Sequence, residues 1–313
     1  MNNTVLICGN TNKALAASVA KSLNMPLADA KIDRFNDGEV NVDIHENVRG
    51  KDIFIIQSTC YPVNDSLMEI LLIADALKRA SAGSITAVIP YYGYARQDRR
   101  PRSKRVPISA KLKADLIMVA GIGRIITVDL HADQIQGFFN IPADNIYYSR
   151  IISDDILKSG HERCAIISPD VGGVVRARAV VKKIENSHLV IVDKRRQAPN
   201  KAEVMNIIGD VKDLDCIIID DIIDTAGTLT QAAKALKQAG AKRIFAYCTH
   251  PVLSDPALDL IESSEIDYIT VSDSIPLTAK AEKSTKIKVL PLGDLLAETI
   301  KRVIGHQSVS AMF

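Results

Sequence analysis

Several familiar signatures are missing from this 313-residue chain, and each absence removes a class of protein. No apolar run approaches the ~20 residues a spanning helix needs, so no membrane partner is expected. The first residues, Met1-Asn2-Asn3-Thr4, carry no basic stretch or cleavage site, so no signal peptide is expected. Five cysteines (Cys8, Cys60, Cys164, Cys216, Cys248) are odd in number, scattered and without a C-x-x-C pair. They read as buried thiols of a reducing compartment, and a cytoplasmic location is the expectation. No G-x-x-x-x-G-K-[ST] is present, which excludes a P-loop kinase. Gly121-Ile122-Gly123 lacks the third glycine of the dinucleotide fingerprint, which disfavours a Rossmann redox enzyme. Neither H-E-x-x-H nor a Cys/His ladder marks a zinc site. A strong charge of either sign is lacking too: the net charge is +2, so no nucleic-acid partner is implied.

What is present is a hydrophobic content of 47%, ample for a core. Single cores rarely grow much past ~250 residues, so two domains are expected. Strand-like and helix-like runs alternate: Val5–Cys8, Ala14–Leu23, Ile53–Gln57, Leu67–Ala82, Ile85–Pro90, Ser109–Ala120 and Ile125–Asp129. A second series runs through Cys164–Ser168, Val174–Ile184, Leu189–Val192, Cys216–Asp220, a helix to Ala239, Ile244–Thr249 and Tyr268–Val271. Such βαβ repetition predicts an α/β fold, with mostly parallel sheets flanked by helices. The series breaks near Asn145–Arg150, which sets expected domains at 1–148 and 149–299, with a tail at about 300–313 packing on the first. Val40–Ile44 alternates strictly and predicts an antiparallel edge strand with one wet face.

The most informative stretch is Asp215–Thr228. Cys216–Ile219 reads as a buried strand, which runs out into Asp220 and Asp221, then Asp224-Thr225-Ala226-Gly227-Thr228, then a helix from Leu229. The loop therefore falls at the carboxyl edge of a sheet, where open α/β folds bind ligands. Backbone N–H groups, two hydroxyls and a helix start worth roughly half a positive charge suit a phosphate. Asp220, Asp221 and Asp224 suit sugar hydroxyls or a metal bound to them. Together they describe a sugar-phosphate site. A capped helix with merely solvated acids is the weaker reading, because three acids flank the turn.

Other expected strand ends carry charge. Arg34-Phe35-Asn36-Asp37-Gly38-Glu39 is a turn by composition, and Phe35 is either a satellite of the core or a stacking face for a base. Tyr91–Asp98 leads into six basic residues between positions 96 and 105, a run that suits polyphosphate if it is loop-bound at a sheet edge. Asp193-Lys194-Arg195-Arg196-Gln197-Ala198-Pro199-Asn200-Lys201 predicts a mobile cationic loop. His131 and Asp170 end two further strands. They form a plausible sparse Mg²⁺ site, since phosphates and water fill most of that ion's octahedron.

Arg34–Glu39, Tyr91–Asp98, Asp129–Phe139, Ser168–Arg178, Asp193–Arg196, Val204–Gly209, Asp220–Thr228, Thr249–Ser254 and Ser308–Phe313 together resemble the ribose-phosphate pyrophosphokinases, of the Mg²⁺-dependent, phosphate-activated bacterial type. The resemblance covers essentially the whole chain. A phosphoribosyltransferase would account only for Asp220–Thr228. The resemblance implies two domains of the type I phosphoribosyltransferase-like fold, the first binding ATP and the second ribose 5-phosphate. The products would be 5-phosphoribosyl 1-diphosphate and AMP. It places ATP on Phe35, Asp37, Gly38, Glu39, Arg96, Gln97 and Asp98. Ribose 5-phosphate falls on Asp220, Asp221, Asp224, Thr225, Ala226, Gly227 and Thr228, Mg²⁺ on His131 and Asp170, and catalytic charge on Lys194 and Arg196. It further implies a homohexamer built as a trimer of dimers, with a phosphate and ADP regulatory site for which Arg49, Arg102, Gln136, Ser308 and Ser310 are candidates. Gln197, Ala226 and Asp255 depart from the family pattern. The first is expected to loosen its loop, and Ala226 to tighten the phosphate turn slightly. A phosphoribosyltransferase and a non-catalytic regulatory subunit are the alternatives.

Overall fold

The computed structural model describes residues 3–161, 163–195 and 204–313. The chain divides into two compact units, the first comprising the chain to Ile146 with Ser274–Pro276 and Pro291–Phe313, the second Tyr147–Asp273 with Leu277–Leu290. Among the described residues no helix is long and apolar enough to cross a membrane.

The first unit runs β1 (Thr4–Cys8), α1 (Lys13–Leu23), β2 (Ala30–Arg34), β3 (Val40–Ile44), β4 (Asp52–Ile56), α2 (Val63–Arg79), β5 (Ser84–Ile89), α3 (Ser109–Val119), β6 (Arg124–Val128) and β7 (Ala143–Ile146). Its five-stranded sheet has the order β1-β4-β5-β6-β7 and is parallel throughout. The central strands are buried on both faces, which is why they read as unbroken apolar runs. Val40–Ile44 is antiparallel, as its alternation predicts. It belongs to no edge of that sheet, however: it pairs with β2 alone in a two-stranded ribbon. β2 escapes a sequence reading because Ala-Lys-Ile-Asp-Arg is too polar and too short to stand out.

The second unit contains α4 (Ser149–Lys158), β8 (Cys164–Ser168), α5 (Val174–Val181), β9 (Ser187–Arg195), β10 (Val204–Ile208), β11 (Asp215–Ile223), α6 (Gly227–Gln238), β12 (Arg243–Pro251), α7 (Ala257–Glu262), β13 (Tyr268–Ser272) and β14 (Ile287–Leu290). The order of its sheet is β10-β9-β8-β11-β12-β13-β14, with only β10 antiparallel. The order reverses between β8 and β11, so the carboxyl ends of these two strands flank a topological switch point.

The chain then returns to the first unit as α8 (Gly293–Ile304), which packs on α1. Ser22 Oγ donates to Asp294 Oδ1 at 2.6 Å, and a Cβ at Gly293 would push against the Ser18 side chain, so glycine lets the two helices meet without moving it. The Ile146–Arg150 stretch, opaque in sequence, ends β7 and starts α4. Tyr148 there is fully buried and its hydroxyl donates to Leu290 O at 2.7 Å.

Two boundaries differ from expectation at the chemistry. β11 continues through Asp220 and Asp221 to Ile223, because β12 pairs with it as far as Ile223↔Pro251. The first residues of the expected mobile loop, Asp193–Arg195, are strand, because β10 supplies an antiparallel partner with Lys194 opposite Met205. Arg196, Gln197 and the rest of that loop lie outside the described residues.

Candidate active site

In the second unit three carboxylates come to one sheet edge. β8 and β11 pair in parallel, with Ile167 opposite Ile218, so the loop after Ser168 and the end of β11 emerge side by side. Asp170 is exposed and its Oδ1 accepts the Gly173 N–H at 2.8 Å, while Ser168 Oγ donates to Asp170 O at 2.7 Å. The loop is thereby fixed at the start of α5. Asp221 is buried and accepts from Arg176 Nη1 at 3.2 Å, and its own N–H donates to Asp220 Oδ1 at 2.9 Å. Arg176 is the residue that the motif reading passes over. Its signal is the Arg-Ala-Arg of the helix following the Gly-Gly pair.

Asp220 bears the consequence of this crowding. Desolvation first, then the charges of Asp221 and Asp170, push its carboxyl well above the usual range, and the Arg176 guanidinium opposes them only in part. The folded state therefore holds a proton that the unfolded chain releases near pH ~4. Stability contributed by this group is fully present below that pH and falls as pH rises toward the folded value. The Asp220→Asn variant is expected to be more thermostable than the parent, by a margin that widens as pH rises from about 4 to 7. Parallel Tm profiles across that range would count against a protonated Asp220.

The turn after β11 departs from expectation at one residue. Ala226 takes the left-handed conformation, φ 61° and ψ 3°, and α6 starts at Gly227 with no side-chain cap. The alanine therefore strains the turn rather than merely tightening it, since Cβ disfavours this region by roughly 1–2 kcal/mol. Thr230 anchors the turn from below, its N–H and Oγ1 donating to Ala226 O at 2.9 and 3.0 Å. Asp224 is half-buried, and Thr225 and Thr228 are exposed along the turn. Ala226→Gly is expected to stabilise the protein by about 1 kcal/mol. A melting temperature unchanged or lowered would rule out strain here.

In the first unit, β2 and β3 meet at a tight tip. Phe35 N–H donates to Glu39 O and Gly38 N–H to Phe35 O, both at 2.9 Å, and Glu39 N–H donates to Asp37 Oδ1 at 3.1 Å. Gly38 sits at φ 95°, which a side chain rarely adopts. Arg34 forks to Gly38 O at 3.0 Å and Asp65 Oδ2 at 2.9 Å, tying the tip to α2. Phe35 is 56% exposed, so it is no satellite of the core. At the end of β5, Arg96 and Gln97 are exposed. The Gln97 side-chain oxygen is already engaged by Ser109 Oγ, and Asp98 Oδ2 accepts from Gln134 Nε2 at 2.6 Å. The basic run to Arg105 is irregular and exposed.

His131 is exposed after β6, beside an Asn145 that accepts from Leu130 N–H at 3.0 Å and donates to Asp133 Oδ1 at 3.2 Å. His131 belongs to the first unit and Asp170 to the second. Among the described residues no three His, Cys, Asp or Glu side chains form a ready-made metal cage. Asp170, exposed at that edge, is a hard oxygen donor of the kind Mg²⁺ accepts, and that ion needs few protein ligands. The five regulatory candidates all lie in the first unit. Ser308 and Ser310 share a hydrogen bond at 3.0 Å, and Gln136 turns its amide back onto Asp133 O at 3.2 Å.

Two α/β units with their loop chemistry at the sheet edges put the chain in the class of type I phosphoribosyltransferase-like proteins. Residues 4–121 match the N-terminal domain of ribose phosphate pyrophosphokinase, and 175–313 a phosphoribosyl synthetase-associated domain. The ribose-phosphate pyrophosphokinase of Burkholderia pseudomallei is 57% identical over 309 residues, covering 99% of this chain and 97% of that protein. That of Marinomonas sp. is 54% identical over 313 residues, covering 100% and 99%. The crystal structure of phosphoribosylpyrophosphate synthetase from Mycobacterium smegmatis superposes with a TM-score of 0.92 at 38% identity, covering 97% of this chain and 99% of that one. The chain belongs to the ribose-phosphate pyrophosphokinase family.

Proposed function

We propose that the chain transfers the β,γ-diphosphate of ATP to the C1 hydroxyl of ribose 5-phosphate, giving 5-phosphoribosyl 1-diphosphate and AMP for nucleotide, histidine and tryptophan biosynthesis. Membership of the family along the full length supports this reading. The observation that carries it is the carboxylate edge beside the phosphate-type turn at a switch point. The 5-phosphate sits on Asp224–Thr228, with the N–H groups at the start of α6 facing an anion. Asp220 and Asp221 take the ribose hydroxyls. Phe35 stacks on adenine, with Asp37, Gly38 and Glu39 at its edge. Arg96, Gln97 and Asp98 follow the polyphosphate.

The anomeric oxygen forms its bond to Pβ as the bridge to Pα breaks; AMP departs with the bridging oxygen, and the hydroxyl proton passes to water. No protein nucleophile enters. The chain's work is to align the oxygen, Pβ and the leaving oxygen, and to neutralise charge that develops on them. Lys194 and Arg196 supply that positive charge. His131 and Asp170 are the residues that would hold Mg²⁺, which would supply further positive charge to the diphosphate. Arg49, Arg102, Gln136, Ser308 and Ser310 form a regulatory site for activating phosphate, in a cytoplasmic homohexamer. AMP is expected only when ribose 5-phosphate is present, in amounts equal to the new sugar diphosphate. Nucleotide formed from 5-phosphoribosyl 1-diphosphate and a nitrogenous base, with release of pyrophosphate and no need for ATP, would instead make the chain a phosphoribosyltransferase.

A further inference from the structure

Lys113 is a lysine where a helix calls for an apolar residue. The buried face of α3 is Ser109, Ala110, Lys113, Ala114 and Ile117, and Lys113 is 1% exposed. Its Nζ donates to Thr59 Oγ1 at 2.6 Å and to Gly93 O at 3.1 Å, and lies 3.5 Å from the centre of the Tyr92 ring. Among the described residues its hydrogen-bond partners include no carboxylate, and burial pushes the amine well below the ordinary lysine range. An apolar side chain would fill this stripe without desolvating an amine.

The partners show what the amine does. Thr59 Oγ1 also accepts the Gly93 N–H at 2.8 Å and donates to Tyr91 O at 2.9 Å. The hydroxyl thus joins the loop after β4 to the loop after β5, and Lys113 reaches both sides of that junction from α3. A Cβ at Gly93 would collide with Thr59 O, so the two backbones meet as closely as they can. Four residues further on, Gln97 O accepts the Ala110 N–H at 3.2 Å, and Ser109 Oγ donates to the Gln97 side chain. Tyr92 closes the span, its hydroxyl donating to Ala110 O at 3.1 Å. One stretch of α3, Ser109 to Lys113, therefore clamps both ends of the segment that presents Arg96.

We propose that Lys113 is a positioning residue, whose amine fixes the Thr59–Gly93 junction and so sets where Arg96 and Gln97 meet the polyphosphate of ATP. The role rests on the reading of the 91–98 loop as an ATP contact. Lys113→Met keeps the length and the packing and removes both hydrogen bonds. It is expected to raise the KM for ATP about tenfold, the scale of one misplaced charged contact, while leaving the KM for ribose 5-phosphate and the thermal midpoint near the parent values. Thr59→Val is expected to act in the same direction. The double variant is expected to be no worse than the more affected single, because the two groups act through one junction.

An Arg96→Ala control separates the two readings. If Arg96→Ala raises the KM for ATP while Lys113→Met and Thr59→Val leave it within twofold, the positioning role is wrong and the ATP loop stands. An unchanged KM in Arg96→Ala would remove the ATP loop, and the role of Lys113 with it. Equal rises in both KM values with a lowered midpoint would reduce Lys113 to a structural group. Should Lys113→Met fail to fold, the near-isosteric Thr59→Val decides on the same criteria.

Discussion

Lys194→Ala is expected to lower kcat by about 10²–10⁴-fold, with the KM for each substrate changed far less. The expectation follows from the chemistry. Transfer of a diphosphate needs no covalent help, so what a cation contributes is strongest when charge spreads over the β-phosphoryl and leaving oxygens. A group engaged mainly at that moment shows in kcat. The backbone places Lys194 near the end of β9, held by its pairing with β10 opposite Met205. An element anchored in a sheet can deliver a charge with less lost entropy than a wholly free loop. Steady-state kinetics of the purified variant check this. A rise in KM for ATP with kcat intact would make Lys194 a binding residue.

The second large effect is on stability. Arg176→Met is expected to cost about 3 kcal/mol, because it removes the guanidinium paired with the buried Asp221 carboxylate, beside an already crowded Asp220. In a unit of this size that corresponds to a fall in Tm of roughly 6–12 °C. Replacing Asp221 by Asn as well removes the carboxylate charge, so the double variant is expected to recover much of the loss. The cycle of parent, two singles and double, followed by thermal melts, measures this directly. Additive losses would show that Arg176 and Asp221 are not energetically coupled.

Much of this was legible in the sequence because the signals were physical. Unbroken apolar runs such as Ile53–Ile56 and Cys216–Ile219 read as strands buried on both faces, and the second led straight into a loop of unusual chemistry. The acids of 220–224 could be named for that reason, whereas Phe35 was named from the turn composition of Arg34–Glu39 ahead of the alternating Val40–Ile44. What stayed hidden depended on partners distant in the chain. β2 and β10 form only because β3 and β9 supply ladders, and neither has a pattern strong enough alone. The Ala226 strain is a backbone angle, which no composition reveals. Lys113 reads as an ordinary helix lysine until Thr59, Gly93 and Tyr92 are seen around it. The Arg176–Asp221 pair joins α5 to β11 across 45 positions.

The central claim is the position of bond cleavage in ATP. The purified protein, incubated with ribose 5-phosphate, Mg²⁺, phosphate and ATP labelled at the β-phosphorus, is expected to move the label onto the sugar as unlabelled AMP accumulates. Label retained on the nucleotide, across added phosphate and several divalent metals, would contradict diphosphate transfer and leave this chain a non-catalytic member of its family.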